Sequence, residues 1–99
     1  MSHTAYLAYS VADRPVADAV VAALEQQGIG CWMAPRDLPP GTPWADAVAG
    51  AIDAARVIVL ILSRSSSRSS GTLAEVRHAV ASGRAVLAVR IQPVDPPAA

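Results

Sequence analysis

The hexapeptide V-I-V-L-I-L at Val57–Leu62 decides the fold. Consecutive side chains of a strand point to opposite sides, so six apolar, largely β-branched residues in a row make a strand hydrophobic on both faces. Such a strand belongs in the interior of a parallel sheet, with helices covering each face. Outward from it the pattern alternates. Residues 4–9 and 29–33 read as two earlier strands and residues 85–91 as a fourth. Asp13 and Pro15 open a first helix with Val16, Val20, Ala23 and Leu24 on one face, and Gly28 closes it at the C′ position. A second helix places Trp44, Val48, Ile52 and Ala55 together, with Asp46 and Asp53 turned away. A third spans about 73–82 and stops at Gly83, after S-R-S-S-S-R-S-S-G at 63–71, which reads as a mobile surface loop. Strand–helix alternation with short connections predicts an α/β, doubly wound parallel sheet of about four strands.

Composition narrows the functions such a sheet carries. The 99 residues make one domain, and the Pro-rich 93–99 reads as a tail or linker. All eight basic residues are arginine and eight acids cancel them, which leaves no electrostatic footprint for nucleic acid or an anionic membrane. Without lysine there is no Schiff base, Walker lysine or Ser-Lys dyad. The single cysteine, Cys31, excludes an internal disulfide and a cysteine-based zinc site, and it reads as a small core residue. Two distant histidines, His3 and His78, are assigned no role, and no metal site is expected. No signal peptide or membrane-length apolar run is visible, so a cytoplasmic location is expected.

In a doubly wound sheet ligands bind beyond the carboxyl ends of the strands, where the strand order reverses. Those ends carry Tyr9 and Ser10, residues 34–41 and residues 63–71, so topology brings three polar segments to one rim. The middle one is stiffened by Pro35, Pro39, Pro40 and Pro43. Pro40-Gly41 fits the centre of a type II turn, Thr42 an N-cap and Pro43 a first helical position. This loop holds Arg36, Asp37 and Trp44 in a defined place, either as a presented surface or as a rigid connector with a solvated ion pair and a core tryptophan.

The segment after the first strand, S-V-A-D-R, lacks the G-x-G-x-x-G of a dinucleotide-binding fold, and a P-loop is absent. A phosphoacceptor receiver would need a late lysine. What remains resembles a bacterial Toll/interleukin-1 receptor (TIR) homology domain. The resemblance rests on Y-L-A-Y-S-x-x-D-R at residues 6–14, G-I-G-C-W-M-A-P-R-D-L-P-P-G-T-P-W at 28–44, the V-I-V-L-I-L-S strand and A-E-V-R-H-A-V at 74–80. It covers nearly all of residues 4–92 and implies a flavodoxin-like fold. A full domain of that kind continues with a fifth strand and a last helix, so residues 1–92 read as a C-terminally incomplete TIR domain.

The resemblance implies two branches. Some TIR domains are non-catalytic adaptors that associate with other TIR domains. Many bacterial ones are enzymes that cleave the nicotinamide–ribose bond of NAD+, used as substrate and not as cofactor, giving linear or cyclised ADP-ribose. The glutamate essential to those enzymes matches Glu75. Trp44 matches an aromatic that stacks on the ligand, and Tyr9 and Ser10 match the pocket-lining loop. Arg36 and Asp37 belong to the loop that shapes the pocket or contacts a neighbouring subunit. Where many such enzymes carry an aromatic one turn before the glutamate, this chain has Gly71. The resemblance also implies homotypic self-association and a further sensor domain, in a signalling or bacterial defence protein. Each residue has a structural alternative. Thr72-Leu73-Ala74-Glu75 fits a capping box, which would turn the carboxylate onto the helix start. Trp44 shares a helical face with Val48 and Ile52, while Tyr9 and Ser10 suit the close of a strand.

Overall fold

The computed structural model describes residues 3–93. Strands β1 (Ala5–Ala8), β2 (Cys31–Trp32), β3 (Val57–Leu62) and β4 (Ala85–Arg90) form one parallel sheet in the order β2-β1-β3-β4. The helices are α1 (Arg14–Gln26), α2 (Trp44–Ala54), α3 (Arg64–Arg68) and α4 (Ser70–Ala81), with a short 3-10 turn at Val11–Asp13 before α1. The Pro-rich tail expected from the sequence lies, but for Pro93, outside the described residues.

β3 is interior, as its composition demands, pairing Ile58 with Tyr6 of β1 and with Val86 of β4. Its alternate side chains divide between two cores. Ile58, Leu60 and Leu62 join Tyr6 and Ala8 against Val48, Ala51 and Ile52 of α2 and Val76 and Ala79 of α4. Val59 and Ile61 join Ala5, Leu7 and Met33 against Ala17 and Val21 of α1. β4 forms the other edge, with Leu87 58% exposed.

Glycines close α1 and α4 as the sequence predicts. Gly28 has φ +79°, and the amides of Gly28 and Ile29 reach the carbonyls of Glu25 and Leu24, the paired bonds of a Schellman cap. Gly83 repeats the arrangement with Val80 and Ala79. The turn at Pro40-Gly41 also forms, with φ +77° at Gly41 and the Thr42 amide 3.4 Å from the Pro39 carbonyl.

Three local expectations are corrected. Thr42 does not cap α2: Pro43 holds the N-cap position, and its carbonyl accepts the Ala47 N–H at 3.0 Å. The serine–arginine tract is not a loop. It holds α3 and starts α4, with Ser63 and Ser66 buried in a reciprocal capping arrangement: Ser63 Oγ accepts the Ser66 N–H at 3.0 Å and Ser66 Oγ accepts the Ser63 N–H at 2.8 Å. Ser63 Oγ also donates to Asp13 at the head of α1. Finally, α4 starts at Ser70 and is capped by Ser69, whose Oγ accepts the Thr72 N–H at 3.2 Å. Thr72 therefore lies inside the helix, and the Thr72–Glu75 capping box does not exist.

Candidate functional site

The strand order reverses between β1 and β3, and a cavity of about 540 Å³ opens at their carboxyl ends. That volume suits a small organic ligand. Three segments wall it: Tyr6, Leu7 and Tyr9 with Val11 and Arg14; Ala34 and Pro35 with Trp44; and Ser69, Gly71, Thr72 and Glu75.

Helix α4 is stitched to β1 by two hydrogen bonds one turn apart. Buried Thr72 donates Oγ1–H to the Tyr9 carbonyl at 3.2 Å. Beyond it the Tyr6 hydroxyl donates to Glu75 Oε1 at 2.6 Å. Tyr6 is 1% exposed and its ring stacks on Trp32 at 5.4 Å and 14°. Burial raises the pKa of the half-buried Glu75 carboxyl, while the bond from Tyr6 opposes the rise. The Tyr6 phenol is raised further, by burial first and then by the Glu75 charge, so it stays a neutral donor. Burial likewise raises Tyr9, whose hydroxyl donates to the Ala34 carbonyl and joins the first wall to the second. Gly71 leaves its part of the wall open, for a Cβ there would meet only Ser69 Oγ at 4.0 Å.

Of the residues singled out from the sequence, Glu75, Tyr9 and Trp44 come together around this cavity. Trp44 is 59% exposed, so it is a wall of the cavity mouth and not a core anchor. Ser10 does not line the cavity; it caps the 3-10 turn, its Oγ 3.4 Å from the Ala12 N–H. Arg36 and Asp37 do not line it either. The Arg36 guanidinium folds back in a fork on Glu25, both contacts at 3.1 Å, and onto the Cys31 carbonyl at 2.9 Å. It also meets Asp37 at 2.7 Å, and Asp37 in turn accepts the Met33 N–H at 3.0 Å. This pair fixes the root of the loop while Ala34 and Pro35 face the cavity. Cys31 is buried, and burial raises its thiol, in keeping with a core role.

Sequence reasoning missed Tyr6, Leu7, Val11, Arg14 and Thr72 as cavity residues, while Pro35 and Ser69 fall within the rim segments it expected. Arg14 stood within the first quoted motif, but Tyr6 sits in an apolar strand whose composition hides a phenol pointed at an acid. No group of acidic, histidine or cysteine residues among those described is arranged to hold a metal ion. No described helix is long and apolar enough to cross a membrane.

A parallel sheet whose cleft opens at the switch point, lined by one carboxylate and two phenols, defines a doubly wound α/β module with a polar cavity at its rim. A family model for the TIR domain matches residues 6–99, and the chain belongs to that family. Comparison with curated proteins gives no match. Among solved structures, the TIR domain of the Toll-related receptor TRR-2 from Hydra magnipapillata superposes with a TM-score of 0.88 at 20% identity, covering 97% of this chain and 76% of that one. A metazoan TIR-STING receptor from C. gigas gives 0.81 at 26% identity, covering 94% of this chain and 32% of that one. The TIR domains of the activated Roq1 resistosome give 0.81 at 21% identity, with 90% and 57% covered. These likenesses show a shared flavodoxin-like fold.

Proposed function

We propose that this TIR domain cleaves NAD+ at the nicotinamide–ribose bond, with Glu75 as the catalytic group. The observation that carries the reading is the Glu75 carboxylate, aimed from α4 into the rim cavity of a TIR fold and held there by a neutral donor. Breaking the C1′–N bond sends its electron pair onto the pyridinium nitrogen, so nicotinamide leaves neutral and needs no acid. The ribose is left with oxocarbenium character, as in glycoside hydrolysis. A carboxylate in a half-desolvated cavity stabilises that charge without reorganising. Water then adds to C1′ and releases a proton, giving ADP-ribose; attack by an internal nucleophile gives a cyclic product. Oε1 takes the Tyr6 bond, leaving Oε2 for the ribose hydroxyls. Trp44 offers its ring at the mouth for stacking, and Arg14 offers a cation to the pyrophosphate. Self-association and control by a sensor domain complete the reading, as the TIR resemblance implies.

The test is nicotinamide release from NAD+ at high protein concentration, for wild type beside Glu75→Gln. Glutamine keeps the length and still accepts the Tyr6 hydroxyl, but carries no charge. Loss of one electrostatic stabiliser predicts a fall on the order of 10²–10³-fold in a folded variant. Turnover retained by the glutamine variant refutes the role of Glu75. No turnover in either protein favours a non-catalytic module that acts through TIR–TIR contacts.

A further inference from the structure

We infer that Tyr6 is the positioning residue of this site: its hydroxyl fixes the Glu75 side chain across the cavity. The inference rests on the NAD+ reading for its catalytic consequence, but the contact stands on geometry alone. Tyr6 is buried in the middle of the α2/α4-facing core, at a position where a hydrocarbon ring of the same shape would pack equally well. A buried phenol needs a partner, and the only one Tyr6 has among the described residues is Glu75, at 2.6 Å. The ring itself is clamped. It stacks on Trp32 and packs in the same buried core as Ile58 of β3, with its hydroxyl directed at Glu75. Position thereby passes from the sheet to the acid: β1 sets the ring, the ring sets the hydroxyl, and the hydroxyl selects one rotamer of Glu75. Thr72 secures the same helix one turn earlier through the Tyr9 carbonyl, so the helix and its side chain are fixed independently.

The charge follows from the same contact. An ionised carboxylate accepts the phenol's proton more strongly than a neutral acid does, so the bond favours the charged form against desolvation. The other titratable or charged groups facing this cavity are Tyr9 from the end of β1 and Arg14 from α1; α2 contributes Trp44 and nothing ionisable. Tyr9 spends its hydroxyl on Ala34, and Arg14 bonds Asp18 at 3.3 Å. Tyr6 alone donates to Glu75 among the described residues.

Tyr6→Phe tests this while keeping the stack and the core volume. The chain holds two glutamates, Glu25 and Glu75, so glutamate labelled with carbon-13 at the carboxyl gives two signals to titrate. Losing the bond raises the Glu75 midpoint by about one pH unit, a tenfold change in its ionisation, and leaves Glu25 in place. The acid limb of nicotinamide release moves up by the same amount, and kcat falls several-fold above it with KM little changed. A second measurement deletes nothing. Fluorotyrosine, a more acidic phenol and a stronger donor, lowers the Glu75 midpoint. An unmoved midpoint in folded Tyr6→Phe, or in the fluorinated protein, overturns the inference. The titration needs no NAD+, so a shifted midpoint without turnover in wild type rejects the NAD+ reading and keeps the contact.

Discussion

Ser66→Ala is the substitution that most sharply separates the structure from the plain reading of S-R-S-S-S-R-S-S-G. If the tract were a mobile loop, removing one hydroxyl would change stability by less than about 0.5 kcal/mol, the range of surface substitutions. In the structure Ser66 is 1% exposed, and its Oγ is the acceptor for the Ser63 amide at 2.8 Å. Alanine leaves that amide buried with no partner, which costs about 1–3 kcal/mol. The Ser63 carbonyl is not orphaned with it, because the Ser67 amide still reaches it at 3.0 Å. The central expectation is therefore about 2 kcal/mol, from one lost acceptor. For a domain of this size that lowers Tm by roughly 8–16 °C and moves a urea midpoint by about 1 M at unchanged m. Urea unfolding followed by circular dichroism measures it, with Ser65→Ala, a half-buried neighbour, as the control expected within about 0.5 kcal/mol. A Ser66→Ala change no larger than the control's refutes the buried capping arrangement and returns the tract to a loop.

Trp44→Ala is expected to raise KM for NAD+ by roughly 10- to 100-fold, the worth of one lost stacking partner. Because Trp44 is 59% exposed, stability should fall by less than the ~3–5 kcal/mol of a buried tryptophan, and thermal melting checks that half of the expectation. The Glu75 carboxyl is raised in the folded state, so the stability linked to it is present below the unfolded carboxyl range and lost as pH rises through the folded value. Glu75→Gln should then melt no lower than wild type at pH 7, and a lower Tm would show that the charge contributes to the fold. Asp53 has the opposite sign: His78 at 2.9 Å, and then Ser82 at 3.1 Å, hold its carboxyl below the usual range. Its contribution is present above the unfolded value and lost as pH falls through the lowered one, so Asp53→Asn should flatten the acid side of a Tm–pH curve.

Where a residue's role follows from backbone geometry, the sequence was enough. Continuous apolar character placed β3 inside the sheet, and Gly28, Gly83 and Gly41 marked turns that need positive φ. Where the role depends on which of several polar groups finds which partner, it was not. Serine is common in loops, so nothing local revealed that Ser63 and Ser66 satisfy each other out of water. The Thr72–Glu75 spacing matched a capping box, yet Ser69 supplied the cap and freed Glu75 for the cavity. Trp44 fell on the apolar stripe of α2 by counting, but at the first helical residue that stripe has already left the core. Tyr6 and Glu75 are 69 positions apart, and only the fold joins them.

That separation has a kinetic and thermodynamic consequence. The cavity walls come from residues near 6, 35, 44 and 72, and the parallel pairings joining them all span long stretches of chain. No short fragment contains all of these walls, and closing the long loops between them precedes the contacts that reward it. A ligand seated in this cavity would therefore engage only the assembled sheet. At a hundred times its Kd such a ligand would add about 2.7 kcal/mol to the free energy of global unfolding, and would protect β3 amides from hydrogen exchange although β3 itself does not line the cavity.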